Sequence, residues 1–312
     1  MTSVDTIDTT AVRLDSASLH PSLISITATM TTDSPFNVAI IGYGMSAKVF
    51  HIPLISALPD FHLHGIVQRS PKPTDDASTD HPGITTWRSA DDMLLDPSVD
   101  LVIITSTPTA HYDQALAALR ANKHVVVEKP FVPTAAEARS LIAAATQSGR
   151  LLSVYQNRRW DQDFLTLRRL LDQGTLGPIA ELESHYDRYR PSLPAPEQRT
   201  WKNRALPAGG ALFDLGSHLL DQVYVLFGPP RTVTGFVGVQ KRGLAQGEEA
   251  PPPDHCTVLL DYGEEGQKML VTVKSSSMSA EEEQLRFWVR GAKGSYKKVR
   301  LRDKNDVWVM TC

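Results

Sequence analysis

The chain's 312 residues leave room for two domains, and 41% hydrophobic with 21% charged residues is the composition of an ordinary globular protein. Its formal charge of −3 gives no footprint for nucleic acid or an anionic membrane surface, and no apolar run reaches the roughly 18 residues of a spanning helix, so neither partner is expected. Two cysteines, Cys256 and Cys312, provide neither a disulfide framework nor a metal-ligand spacing, which sets the expectation at no metal and a reducing, cytoplasmic location.

Residues 1–36 are rich in Ser and Thr, carry four aspartates and one basic side chain, Arg13, and lack apolar periodicity. They read as a disordered tail rather than a signal or transit peptide, with Met30 an alternative start to Met1. The organised chain begins with a buried strand over 38–41 that runs into Gly42-Tyr-Gly44-Met-Ser-Ala47. In this GxGxxA spacing Gly42 allows the tight turn, Gly44 lets backbone approach a pyrophosphate, and small Ala47 lets the following helix pack on the strand. Pro53 is expected to break that helix after about two turns, with His51 a capping or packing residue.

A second strand over 63–67 ends in Gln68-Arg69-Ser70, where the adenine ribose of a dinucleotide would lie. An acid there accepts from the ribose 2′-OH of NAD, whereas an arginine accommodates the 2′-phosphate of NADP. With Arg69 and Ser70 and no acid, NADP is expected rather than NAD, the alternative being a solvated Arg69. A short helix over 89–95 and a buried strand over 99–105 follow, the strand ending in Thr105-Ser-Thr107-Pro-Thr-Ala-His111 before a helix over 112–121. The hydroxyls of Thr105 and Thr107 suit ribose or phosphate, and His111 is either a ligand contact or a cap.

Three valines over 125–127 form the next buried strand and deliver Glu128 and Lys129 to the carboxyl edge of the sheet, where open α/β folds bind ligands. A helix over 135–148 and a strand over 151–155 complete a doubly wound parallel sheet, and residues 37–155 read as a dinucleotide-binding domain.

Residues 156–312 read as a second, α+β domain. Asn157 and Arg158, in Gln156-Asn-Arg-Arg-Trp-Asp161 at a strand mouth, suit a polyhydroxylated ligand, or else form an Arg–Asp surface network. A helix over 163–173, an alternating strand over 179–189 and a loop over 191–207 bearing Trp201 lead to Gly209-Gly210, Asp214 and His218. Four residues apart on a helix, Asp214 and His218 share a face, where they can handle a proton near neutral pH or make a structural hydrogen bond. Strands over 231–240, 255–262, 268–275, 284–289 and 295–301 close the chain.

In order and spacing, the Gly-rich turn, Thr107-Pro108 with His111, Glu128-Lys129-Pro130, Gln156-Asn157-Arg158-Arg159 and Gly209-Gly210 with Asp214 and His218 resemble the glucose-fructose oxidoreductase, inositol dehydrogenase and MocA family. Phe50-His51, Asn157-Arg-Arg-Trp-Asp161 and Tyr189-Arg190-Pro191 are most similar to its NADP-dependent scyllo-inositol dehydrogenase branch. The resemblance implies an N-terminal Rossmann domain and a C-terminal domain on a large open antiparallel sheet, whose face forms a homo-oligomer interface. It also implies hydride transfer between nicotinamide and a secondary alcohol or ketone of a cyclic polyol or sugar. By the same resemblance His218 is the general base, Lys129 stabilises the alkoxide, and Asp214 orients the site and binds a hydroxyl. Asn157 and Arg158 hold neighbouring hydroxyls, and Gly42, Gly44, Ala47, Arg69, Ser70, Thr105, Thr107, His111, Glu128 and Lys129 line the cofactor. Family members usually continue beyond the Gly294-Ser-Tyr296 region with more sheet and a terminal helix, so a shortened C-terminus is expected. A non-catalytic dinucleotide-binding regulator and a truncated member of little activity are the competing expectations.

Overall fold

The computed structural model describes residues 12–13, 34–241, 251–263 and 268–301. They fall into two compact units that divide between Tyr155 and Gln156. Most of the expected N-terminal tail lies outside the described residues. Within it Val12–Arg13 forms a two-residue strand, β1, which belongs to the sheet of the second unit.

The first unit is a six-stranded parallel sheet of β2 (Phe36–Ile41), β3 (Phe61–Val67), β4 (Thr85–Trp87), β5 (Leu101–Ile104), β6 (His124–Glu128) and β7 (Leu152–Tyr155). Its spatial order is β4-β3-β2-β5-β6-β7, so the winding reverses between β2 and β5. Ligands of such sheets lie at this reversal, outside the carboxyl ends of the two strands. Both faces are covered. Along β2, Val38 and Ile40 pack on one side with Ile52, Ile55 and Ala77, while Ala39 and Ile41 pack on the other with Ala115, Leu119 and Leu141. This is the period of two that a strand buried on both faces imposes on an unbroken apolar run. The covering helices are α1 (Ile52–Ala57) and α2 (Ala77–Asp80) on the first side, with α3 (Ala90–Leu94), α4 (Pro108–Arg120) and α5 (Ala135–Ser148) on the second.

Pro53 does not end the helix after the Gly-rich turn. The five residues Ala47–His51 form a widened π-type segment in which the Ile52 N–H reaches the Ala47 carbonyl, and α1 continues from there with Pro53 in its first turn. The wider turn carries the helical course past the proline, whose ring and missing N–H would interrupt a regular α-helix, so the expected break does not occur. Helix α4 likewise starts earlier than its apolar pattern indicated, at Pro108, with Thr107 as its N-terminal cap residue.

The second unit holds α6 (Gln162–Asp172), α7 (Ser217–Phe227) and a seven-stranded sheet. Its strands after β1 are β8 (Ile179–His185), β9 (Thr232–Gly238), β10 (His255–Asp261), β11 (Leu270–Ser276), β12 (Glu283–Gly291) and β13 (Ser295–Leu301). The spatial order is β1-β9-β10-β11-β8-β12-β13, with every pair antiparallel except β11 and β8. One face is apolar, with Val258, Leu260, Val271, Val273 and Leu182 packed against Phe164 and Leu167 of α6 and Leu219 and Val223 of α7. The strand expected over 179–189 ends at His185; beyond it the Tyr186, Arg188 and Arg190 N–H groups still donate to the carbonyls of Lys274, Ser276 and Ser277, and an isolated bridge joins Tyr189 to Met278.

Candidate active site

In the first unit the β2 turn and the β5 turn are built against each other. Gly42 has φ +103°, and a Cβ there would stand 2.9 Å from Thr105 Oγ1, so only glycine permits the approach. The Thr105 hydroxyl donates to the carbonyls of Ile41 (3.0 Å) and Gly42 (3.2 Å), tying the two strand ends across the reversal of the sheet. Thr105 therefore shapes the crevice through backbone bonds. A Cβ on Gly44 would meet nothing within 4 Å, and Gly44 is exposed at the start of the helix. The N–H groups of a first helical turn have no intrahelical partners, which makes this open glycine edge a fitting cradle for phosphate oxygens.

Glu128 joins that turn to the lysine strand. Its Oε1 accepts from the Ser46 hydroxyl and faces His51 Nε2 at 3.0 Å, and its Oε2 accepts from the Lys129 N–H at 3.0 Å. Burial alone would raise the carboxyl, but the hydrogen bonds from His51 and Ser46 outweigh it and hold Glu128 below its ordinary value. His51 is buried and lies 4.2 Å, ring centre to ring centre, from Tyr155 at the end of β7. The packing role read for His51 is the one it has. Lys129 thus leaves the sheet edge with its backbone fixed by its own neighbour.

The remaining positions proposed for the cofactor divide. His111 is 1% exposed; its Nδ1 faces the carbonyls of Pro130 (3.0 Å) and Phe131 (3.1 Å), and its Nε2 faces that of Ser106 (3.2 Å). The ring braces the β5 loop to the β6 loop. Arg69 and Ser70 are exposed just beyond β3. Buried Gln68 beside them accepts from Ala77 N and donates to the Asp75 carbonyl, folding the next loop back. Asp75 is held by Lys48 at 2.6 Å, and Lys48 in turn lies 4.0 Å from the centre of the Tyr43 ring. Thr107 is exposed at the head of α4, its hydroxyl 3.2 Å from that of Thr109.

In the second unit the turn after β7 is pinned to α7. Gln222, one helical turn beyond His218 and 1% exposed, donates from Nε2 to the Arg158 carbonyl at 2.6 Å. Arg158 donates to Asp161 (2.9 Å) and to the Tyr186 hydroxyl (3.2 Å), and its neighbour Arg159 makes a bidentate pair with Asp221 of α7. The expected Arg–Asp network is real, and it orders the turn rather than decorating the surface. The side-chain oxygens of Gln156 and Asn157 are buried with no hydrogen-bond partner among the described residues. Such orphans are costly unless a ligand donor completes them.

Asp214 and His218 are both buried, Asp214 in a π-type segment (Leu212–Gly216) and His218 in α7 directly after it. The segment is reached through Gly209 and Gly210. A Cβ on Gly210, at φ +85°, would stand 2.5 Å from the Pro253 carbonyl, and one on Gly209 would stand 2.7 Å from that of Arg204, so both glycines admit backbone. The Asp214 carboxylate is paired with Lys202 at 2.7 Å, from the loop that carries Trp201.

Two family models match the chain in series, the oxidoreductase family NAD-binding Rossmann fold over residues 36–156 and the GFO/IDH/MocA C-terminal domain over residues 164–297. The chain belongs to the GFO/IDH/MocA oxidoreductase family. An oxidoreductase of Schizosaccharomyces pombe is 37% identical over 85% of this chain and 71% of its own length. The scyllo-inositol 2-dehydrogenase (NADP(+)) IolW of Bacillus subtilis is 40% identical over 72% of this chain and 60% of its own length. Among solved structures, the oxidoreductase yvaA of Bacillus subtilis superposes with a TM-score of 0.75 at 36% identity, covering 86% of this chain and 71% of that one. As a GFO/IDH/MocA member the chain is a dehydrogenase with an NAD(P)-binding Rossmann unit and a C-terminal unit on a mostly antiparallel sheet.

Sequence reasoning missed three parts of this GFO/IDH/MocA site. Lys202 on Asp214 has only one signal, the aromatic neighbour on the covering loop. Ser46 and His51 reach Glu128 from 82 and 77 residues away, with no local trace. Gln222 carries a weak signal, an amide on the otherwise apolar stripe of α7.

Proposed function

We propose that this dehydrogenase transfers a hydride between NADP, in preference to NAD, and a secondary alcohol or ketone of a cyclic polyol or sugar. The observation that carries the reading is the turn after β7. It leaves two buried acceptor oxygens, of Gln156 and Asn157, without a hydrogen-bond donor among the described residues and is bound through Gln222 to the helix that bears His218. A polyol offers the dense, directional O–H donors those oxygens lack. The name of the Bacillus subtilis relative, which couples NADP to an inositol, supports both halves of the proposal.

The first unit fits a dinucleotide. The turn of Gly42 and Gly44 would hold the pyrophosphate, with buried Ala47 packing the helix behind it, and Arg69 with Ser70 would hold a 2′-phosphate. Bound nicotinamide supplies the hydride acceptor or donor. On the protein side His218 takes the hydroxyl proton at a ring nitrogen, as an imidazole can near neutral pH. The Lys129 ammonium carries the charge that develops on the substrate oxygen. Asp214, held by Lys202, accepts from a substrate hydroxyl and fixes the ring, while Asn157 and Arg158 position its neighbours.

The test is reduction of NADP and NAD in parallel over inositols and aldoses, with wild type and Lys129→Ala. Loss of turnover by about 10²- to 10⁴-fold in the variant, with stabilisation by NADPH retained, is expected. Unchanged turnover in Lys129→Ala would refute the assignment, and equal efficiency with the two cofactors would refute the NADP preference.

A further inference from the structure

The second unit contains a cleft of about 290 Å³ whose wall includes Asp214 and Lys202 together with Arg188, Arg190, Lys241 and Ser277. We propose that it makes the preferred substrate anionic, a polyol or sugar bearing a carboxylate or phosphate that is bound by Arg188 and Arg190. The inference rests on the reading of this unit as the substrate-binding one and adds a charge requirement to it.

Among the described residues the charges in the wall do not balance. Lys202 is matched by Asp214. Asp254, the other acid lining the cleft, spends its two oxygens on the backbone N–H groups of Gln240 (2.7 Å) and Lys241 (3.0 Å), and its charge favours the Lys241 ammonium. That leaves Arg188 and Arg190, and among the described residues no carboxylate lies within 4 Å of either guanidinium. The contact made by Arg188 is with the face of Tyr186, 5.0 Å from the ring centre, an aromatic shared with Arg158 at 4.7 Å. Lys241 lies below its ordinary value chiefly because it is buried; Asp254 opposes the shift and Arg190 adds a smaller push in the same direction as burial.

Geometry supports the same conclusion. The Arg188 N–H donates to the Ser276 carbonyl at 2.8 Å, the Arg190 N–H to that of Ser277 at 2.7 Å, and the Arg188 carbonyl accepts from Ser279 N. These bonds tie both residues to the end of β11 and the segment that follows it, and both line the cleft wall. The Ser277 hydroxyl beside them is buried with no partner among the described residues, a donor waiting for an acceptor. Two cations and an orphan O–H make a donor-rich wall that a neutral polyol satisfies only in part. A planar carboxylate or a phosphate accepts from all three and removes the repulsion.

The experiment compares matched pairs on the full chain: glucose with glucuronate and with glucose 6-phosphate, and myo-inositol with its monophosphate. Wild type, Arg188→Gln, Arg190→Gln and the charge-conserving Arg190→Lys are compared for kcat and KM. The expected result is a kcat/KM at least about tenfold higher for one anionic class, the two arms telling carboxylate from phosphate. The anionic-to-neutral ratio should fall about 10- to 100-fold in Arg190→Gln, mainly through KM, with partial recovery in Arg190→Lys. A neutral sugar used as well as its anionic partner, or a ratio unmoved by both glutamine variants, overturns the proposal while leaving the dehydrogenase reading intact. If no pair is turned over with either cofactor, that reading fails, and calorimetric titration with glucuronate and glucose 6-phosphate decides the anion site separately. Binding that is lost in Arg190→Gln, with thermal unfolding unchanged, sustains it, and absence of binding to wild type ends it.

Discussion

Arg286 of β12 is 1% exposed, and a guanidinium so completely removed from water survives only through its partners. It donates to Gln222 Oε1 at 2.7 Å, to Ser184 Oγ at 3.1 Å and to the His185 carbonyl at 3.4 Å, and Asp163 Oδ2 stands 3.1 Å from its Nε. The last contact is a charge pairing rather than an aligned hydrogen bond. Asp163→Asn removes that charge and keeps an oxygen for the Phe164 N–H that Oδ1 now accepts at 2.7 Å. Breaking one side of a buried pair costs about 3–5 kcal/mol. For a unit of this size that corresponds to a fall in Tm of roughly 6–20 °C. Asp163→Asn/Arg286→Met, which removes both charges, should recover part of the loss, because no unpaired charge is then left in the interior even though Gln222 Oε1 loses its donor. Thermal and urea unfolding of the two single variants and the double variant make the cycle. An Asp163→Asn protein within about 1 kcal/mol of wild type, or a double variant no more stable than Asp163→Asn alone, would refute the reasoning.

Four further outcomes follow from the first unit. Because the folded Glu128 carboxyl lies below its ordinary value, it adds stability that is present above the unfolded value near 4.5 and is lost as pH falls through the folded one. Thermal unfolding from about pH 6 to pH 3 should therefore fall more steeply for wild type than for Glu128→Gln, and parallel curves would count against the Ser46–His51–Glu128 tie. Gly42→Ala, at positive φ and against Thr105, should cost about 1–3 kcal/mol of stability without any ligand. Gly44→Ala should leave the ligand-free Tm unchanged and weaken stabilisation by NADPH, and the reverse order of effects would mean the cradle is elsewhere. Arg69→Ala should raise KM for NADP about 10- to 100-fold and that for NAD less than about threefold, measured by initial rates.

The parts of the fold that the sequence announces are those set by short-range periods. Valines 125–127 with Glu128 and Lys129, the spacing of Gly42, Gly44 and Ala47, and helix α5 with its Thr134–Glu137 capping box and Gly149 at its end are all local patterns. What escapes is whatever depends on a change of period. Pro53 reads as a stop until a π-type segment places it in the first turn of α1. Arg286 alternates with apolar Leu285 and Phe287 and carries no sign of burial, yet at the register shift between Leu285 and Phe287 two successive residues, Arg286 and Phe287, are buried. The site divides in the same way. Asp214 and His218 are visible as a pair four apart, whereas Lys202 and the cations of the cleft are assembled by loops whose course no spacing encodes.

The position of β8 has a consequence for how the second unit comes together. It is early in that unit's chain, yet it lies between β11 and β12, and among the described residues no other strand joins the β9-β10-β11 meander to the β12-β13 hairpin. The meander and the hairpin can each form from neighbouring sequence, but their union waits on a segment roughly 90 residues upstream of β11, and closing so long a loop is entropically slow. A weakened β8 would leave two preformed half-sheets with bare inner edges, the species from which strand exchange between copies begins.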